Sequence, residues 1–149
     1  MNTPLRDVPV FAGLSEEALK LLLTRAHEAV FKAGDFVLKE GETGNQMYVI
    51  GSGSVRVCKG IGTSREIELA ILRDKDFFGE MCILETLPRA ATVQALTDCR
   101  LVAIPAMAFY DLYTTMPKQH SIAILNIARD LSRRLRRLEE TLSAGRPGK

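Results

Sequence analysis

The chain has 149 residues, 46% of them hydrophobic and 26% charged, and a net charge of +2. That length suits one domain with a sizeable core, and no apolar run is long enough to cross a membrane. Cys58, Cys82 and Cys99 fit reduced thiols in a cytoplasmic protein rather than a disulfide framework, and the N-terminus lacks the basic-then-apolar pattern of a secretory signal.

Val8-Pro9-Val10-Phe11 reads as an apolar strap against the body. Leu14, Ala18, Leu21, Leu22 and Ala26 then recur at helical spacing and predict a helix ending near His27. Ser15 is its expected N-cap with Ala18 at N3, and Glu16 and Glu17 suit its positive end. From Glu28 the apolar period changes to two. Short strands are expected at Ala29–Phe31, Phe36–Lys39, Gln46–Ile50, Ser54–Lys59 and Glu66–Leu72, separated by glycine-bearing turns such as Gly51-Ser52-Gly53. Met47–Ile50 reads as core. Many short strands between tight turns argue for a mainly β sandwich or jelly-roll barrel.

The stretch from Phe78 to Val93, FGEMCILETLPRAATV, carries the chemistry. Gly79 lets the backbone approach a ligand closely, and Met81–Leu87 suits a short buried helix whose free N–H groups favour an anion. Arg89 offers a planar fork matched to a phosphate, beside the small residues Ala90 and Ala91. An ionised Glu80 can accept from sugar hydroxyls. The plainer alternative is a Glu80–Arg89 ion pair tying a loop to a helix. Cys82 reads as a small buried apolar residue, with a redox-sensing thiol as the alternative.

Closing strands follow at Ala91–Ala95 and Cys99–Ile104, then a helix at Ala106–Thr115 stopped by Pro117. The longest helix is expected at Lys118–Leu142, leaving residues 143–149 as a disordered polar tail. Ile124, Ala128, Leu131, Leu135, Leu138 and Leu142 are spaced 4, 3, 4, 3, 4, a heptad seam. In a parallel pair Arg134 falls at g and Glu139 at the following e. Ile122 and Ile127 widen the stripe towards the chain's own barrel, and a lid helix in a monomer is the competing arrangement. The end of the chain is basic, which fits a solvated helix face or a non-specific contact with nucleic acid. His27 and His120 are the only histidines, and no metal-ligand or catalytic motif is present, so neither cofactor nor catalysis is expected.

Phe78-Gly79-Glu80 and Pro88-Arg89-Ala90-Ala91-Thr92 together resemble the phosphate-binding cassette of cyclic nucleotide-binding domains, found in cAMP-dependent kinase regulatory subunits and catabolite-activator-like proteins. The resemblance covers roughly Val8 to Leu142. It implies a jelly-roll β-barrel with an N-terminal helix, a short cassette helix and C-terminal helices. It also implies a ligand site at Phe78, Gly79, Glu80, Met81, Cys82, Arg89, Ala90 and Ala91. In it Glu80 takes the ribose 2′-hydroxyl and Arg89 the cyclic phosphate, helped by the N–H groups of Cys82 and Ala90. Ala90 points to cAMP over cGMP. Catabolite-activator-like relatives meet the adenine with hydroxyl-bearing residues on the long helix; here Leu135 or Leu138 would cap the base instead. The expected function is a cyclic nucleotide receptor that signals by moving its C-terminal helix, as a homodimer with a possible downstream protein partner and no sequence-specific nucleic acid contact. The alternatives are the sensor domain of a transcription regulator, since the residues after Leu142 are too few for a helix-turn-helix, or a ligand-free scaffold.

Overall fold

The computed structural model describes residues 5–144. Two 3₁₀ turns, Leu5–Asp7 and Pro9–Phe11, lead into α1 (Glu16–Thr24). Eight strands follow: β1 (His27–Phe31), β2 (Phe36–Leu38), β3 (Gln46–Ser52), β4 (Val55–Lys59), β5 (Ile67–Leu72), β6 (Phe77–Phe78), β7 (Thr92–Ala95) and β8 (Cys99–Pro105). The one-turn helix α2 (Met81–Leu84) lies between β6 and β7, and α3 (Ala106–Thr115) and α4 (Pro117–Ala144) close the described chain. The strands form two antiparallel four-stranded sheets, in the orders β1-β8-β3-β6 and β2-β7-β4-β5, the jelly-roll expected from the pattern of short strands.

The central strands explain why so much of the sequence is continuously apolar. On β3, Met47 and Val49 join the cluster beneath the helices, while Tyr48 and Ile50 join the cluster between the sheets. On β8, Val102 and Ile104 face the helices and Leu101 and Ala103 the other sheet. A strand buried on both faces loses the polar half of its alternation. The helical cluster is completed by Val8, Val10 and Phe11 of the strap, Leu22 of α1, Phe109 and Leu112 of α3, and Ala123 and Ile127 of α4. The strap is therefore structural, and Asn126 of α4 fixes it by donating to Val10 O at 3.0 Å and Ala12 O at 2.8 Å.

Ser15 caps α1 as expected, its hydroxyl accepting from Ala18 N at 3.2 Å. The helix stops earlier than its periodicity predicts, at Thr24, because His27 already pairs with Ala103 and the strand takes the backbone that a longer helix would need. Gly53 adopts φ +111°, and a Cβ there would come within 2.6 Å of Asp98 O, so the turn before β4 requires glycine. Two boundaries differ at the other end. Pro117 opens α4, and the helix runs through Ser143 and Ala144, so the first two residues of the expected tail are helical; residues 145–149 lie outside the described residues. Among the described residues no helix is long and apolar enough to cross a membrane.

Candidate functional site

β6 was not foreseen as a strand, yet it sets the site. Phe77 and Phe78 pair with Val49 and Tyr48, and Phe78 stacks on Tyr48 with ring centroids 5.3 Å apart. Phe77 faces the helices and Phe78 the inter-sheet core. This two-sided anchor holds the backbone entering Gly79, which turns with φ +77°. Glu80 follows at the N-terminus of α2 without capping it through its side chain. The helix is a single turn, and it is not buried as expected: Met81 and Leu84 are exposed, Cys82 and Ile83 are half-buried, and only Ile83 packs against the core. One turn on the rim of the barrel has a single inward position, and the extended backbone at Glu85 ends it.

Arg89 is fixed from several directions. Its backbone N–H donates to Glu42 O and its carbonyl accepts from Gly41 N, both at 2.8 Å. Its guanidinium donates through Nη1 to Gly79 O at 3.1 Å and through Nη2 to Gln46 O at 2.8 Å. Two glycines make room for it. A Cβ on Gly79 would come within 3.0 Å of Nη1, and one on Gly44 would collide with the guanidinium. Arg89 also lines a cavity of about 300 Å³ with Phe36, Leu38, Glu42, Thr43 and Tyr48. A larger open cleft of about 620 Å³, bordered by Phe36, Lys39, Gly60 and Ile61, contains neither Arg89 nor Glu80. Ala90 is exposed and Ala91 half-buried, and the Ala90 carbonyl accepts from Lys59 Nζ at 2.9 Å.

Glu80 and Arg89 do not form the alternative ion pair among the described contacts. Glu80 pairs with Arg134 of α4, Nη1 to Oε1 at 3.0 Å, with the Glu80 side chain 4% exposed and that of Arg134 29% exposed. Arg134 Nη2 donates to Phe77 O at 2.7 Å, and its guanidinium lies over the Phe77 ring at 4.9 Å. Burial pushes the Glu80 carboxyl above the ordinary carboxylate range, opposed first by the Arg134 charge. Burial likewise pushes the Cys82 thiol up, against the nearby Arg89 charge, and Sγ donates to Gly79 O at 3.1 Å.

Arg134 corrects the expectation that set it at a g position facing a second chain. Its guanidinium is spent inside its own fold. A second stripe signals this: Ala123, Ile127, Asp130 and Arg134 are spaced 4, 3, 4, one residue behind the leucine seam, and its first two members are fully buried. Gly44 and Gln46 were missed because neither belongs to a motif; a long-range contact alone assigns them. Leu135 and Leu138 stand exposed on α4, outside both core clusters, and Leu131 and Ile124 are the seam residues that pack on the body.

The arrangement is a buried carboxylate and a pre-set guanidinium that is bonded to the carbonyl of the residue before that carboxylate, on a barrel against which a long helix packs. Among known proteins, the family described as cyclic nucleotide-binding domain matches residues 28–116. The chain is 29% identical over 143 residues to the CRP-like cAMP-activated global transcriptional regulator of Mycobacterium tuberculosis, covering 96% of this chain and 62% of that protein. It is 35% identical over 112 residues to the potassium/sodium hyperpolarization-activated cyclic nucleotide-gated channel 4 of Homo sapiens, covering 74% of this chain and 9% of the channel. The crystal structure of the Thermus thermophilus catabolite activator protein is similar with a TM-score of 0.76 at 29% identity, over 91% of this chain and 62% of that one. The chain thus spans less than two thirds of these relatives' length. The family match over residues 28–116, more than half of the chain, shows that the chain belongs to the cyclic nucleotide-binding domain family.

Proposed function

We propose that this chain is a receptor for a cyclic nucleotide, cAMP in preference to cGMP, with no chemistry of its own. The observation that carries the reading is the seating of Arg89. Two main-chain carbonyls hold its guanidinium, which leaves three of its five N–H groups for a phosphate, at the edge of a cavity. A guanidinium fixed before the ligand arrives loses little freedom on binding. Glu80 takes the ribose 2′-hydroxyl, and the N–H groups of Cys82 and Ala90 complete the phosphate contacts. Ala90 offers no hydroxyl to a guanine, which favours adenine. The Mycobacterium tuberculosis relative, named as cAMP-activated, supports the same ligand.

The signal leaves through α4. Arg134 ties that helix to Glu80, so a ligand that engages Glu80 acts on the helix directly. Leu135, Leu138 and Leu142 form an exposed apolar seam beyond the barrel, suited to a parallel homodimer in which Leu135 or Leu138 also caps the base. The protein works in the cytoplasm, without a cofactor and without reading a DNA sequence. The long match to a transcriptional regulator favours a second version of the same reading, in which this chain is the sensor part of such a regulator. Titration calorimetry with cAMP and cGMP tests the proposal. One cAMP per chain, bound more tightly than cGMP, is expected. No heat from either nucleotide would leave a ligand-free scaffold.

A further inference from the structure

Among the described residues, Asp130 makes one ion pair, and it lies near enough to the Glu80 carboxylate to raise its proton affinity. Its Oδ2 lies 2.6 Å from Arg134 Nε, one helical turn away, and its side chain is 21% exposed. That oxygen is buried and makes no aligned hydrogen bond, so the contact is one of charge. Arg134 is thereby divided. Its Nε edge belongs to Asp130, while Nη1 and Nη2 belong to Glu80 and Phe77 O, with the Phe77 ring beneath. With its Nε edge turned to the Asp130 charge, the guanidinium presents its Nη edge to Glu80 and Phe77 O; without that charge it loses one of the contacts that fix its plane.

We infer that Asp130 is a positioning residue for the ligand site: it holds Arg134 so that Arg134 orients Glu80 towards a ribose hydroxyl. The inference rests on the reading of Glu80 as the ribose acceptor. Three charged groups surround that carboxylate. Arg134 and Asp130 come from α4, and Arg89 from the segment between α2 and β7. Of the two cations, only Arg134 bonds to Glu80, and Asp130 is the group that aims it. The plainer role for Asp130 is an intrahelical pair that stabilises α4 wherever the helix goes. The two roles differ in what they do to ligands. A helix-stabilising pair affects every nucleotide alike. A chain of contacts from Asp130 through Arg134 to Glu80 affects only ligands that carry the hydroxyl Glu80 receives.

The experiment is a calorimetric titration of cAMP and 2′-deoxy-cAMP into the parent, Asp130→Ala, Asp130→Asn, Arg134→Ala and the Asp130→Ala/Arg134→Ala double variant. Asp130→Ala is expected to weaken cAMP by a factor between about two and about 150, the span of coupling between neighbouring side chains, and to leave 2′-deoxy-cAMP nearly unchanged. Asp130→Asn, nearly isosteric but uncharged, should lose about as much as Asp130→Ala, and because it opens no space it guards against misfolding of the alanine variant. In the Arg134→Ala background, Asp130→Ala adds nothing. Equal loss for both nucleotides, or a loss that persists without Arg134, overturns the positioning role. A parent that binds both nucleotides equally, or neither, instead removes the ribose role of Glu80, and the inference falls with it.

Discussion

Arg134 Nη1 sits 3.0 Å from Glu80 Oε1, joining the last long helix to the most deeply buried carboxylate of the barrel. The two residues are far apart in sequence, and the bond is the direct polar link between the site and α4. Arg134→Ala leaves Glu80 buried without its counter-charge. A hydrogen bond to a charged group contributes about 1.5–3 kcal/mol, and a stability loss of that order is expected in chemical denaturation at neutral pH. Adding Glu80→Gln should restore much of it, because the orphaned charge is then gone. A single variant as stable as the parent would mean that water, not Arg134, compensates Glu80.

The raised carboxyl of Glu80 has a pH signature of fixed sign. Its folded form holds its proton above the ordinary value of 4.5, because burial outweighs Arg134. The folded state therefore binds more protons than the unfolded chain between 4.5 and the folded value, and the contribution of Glu80 to stability falls as pH rises through that window. Glu80→Gln should gain on the parent over the same rise, measured by denaturation at stepped pH. Affinity for a ribonucleotide should move the other way, increasing as Glu80 ionises. A difference between parent and variant that stays flat across the window would contradict the shift.

Arg89→Ala removes the proposed phosphate contact. Losing one partner of a desolvated charge pair costs roughly 2–5 kcal/mol, or about 30-fold to several thousand-fold in affinity. Arg89→Lys should recover only part, since a point charge lacks the fork. Gly44→Ala is the sharper test, because its methyl touches no ligand yet occupies the space of the guanidinium. It should weaken cAMP strongly while the fold persists by circular dichroism. Normal affinity in Gly44→Ala would show that the seat of Arg89 does not matter.

Asn126 donates to Val10 O and Ala12 O, and Ser15 N donates to Gln119 Oε1 at 2.8 Å, so the strap and the first turns of α4 form one clamped unit. Asn126→Ala should lower stability by about 0.5–1.5 kcal/mol, the net worth of an ordinary hydrogen bond, since the Val10 acceptor is only part-buried and the Ala12 acceptor is exposed. Amide exchange should accelerate in the strap before the barrel. Uniform acceleration would mean that the clamp is not a separate unit.

The exposed leucines predict self-association. Leu135 and Leu142 are 58% and 64% exposed, and burying one leucine is worth about 1.5–3 kcal/mol. With Arg134 committed to Glu80, ion pairing across the seam has one partner fewer, and the leucines carry the association. Sedimentation should show a dimer at tens of micromolar that Leu135→Asp with Leu138→Asp dissociates. A parent that remains monomeric with and without nucleotide would leave α4 as a lid.

The sequence by itself determined the pieces that depend on neighbours along the chain. Ser15 and Ala18 mark the start of α1 because a cap is local. Gly51 to Val55 marks a turn and strand because the left-handed angle at Gly53 excludes side chains. Glu80 and Arg89 stood out as candidates because Phe78-Gly79-Glu80 and Pro88-Arg89-Ala90-Ala91-Thr92 resemble the family's cassette. The tertiary structure decided the rest. His27 joined a strand rather than extending α1 because Ala103 was there to pair with it. Met81–Leu84 stayed on the surface because one turn has only one inward side. Arg134 turned inward, and Gly44 became the floor under Arg89, because each meets a partner more than forty residues away. Spacing along a helix sets which residues share a stripe. Which stripe faces the barrel, and which is left for a partner, depends on where the barrel is.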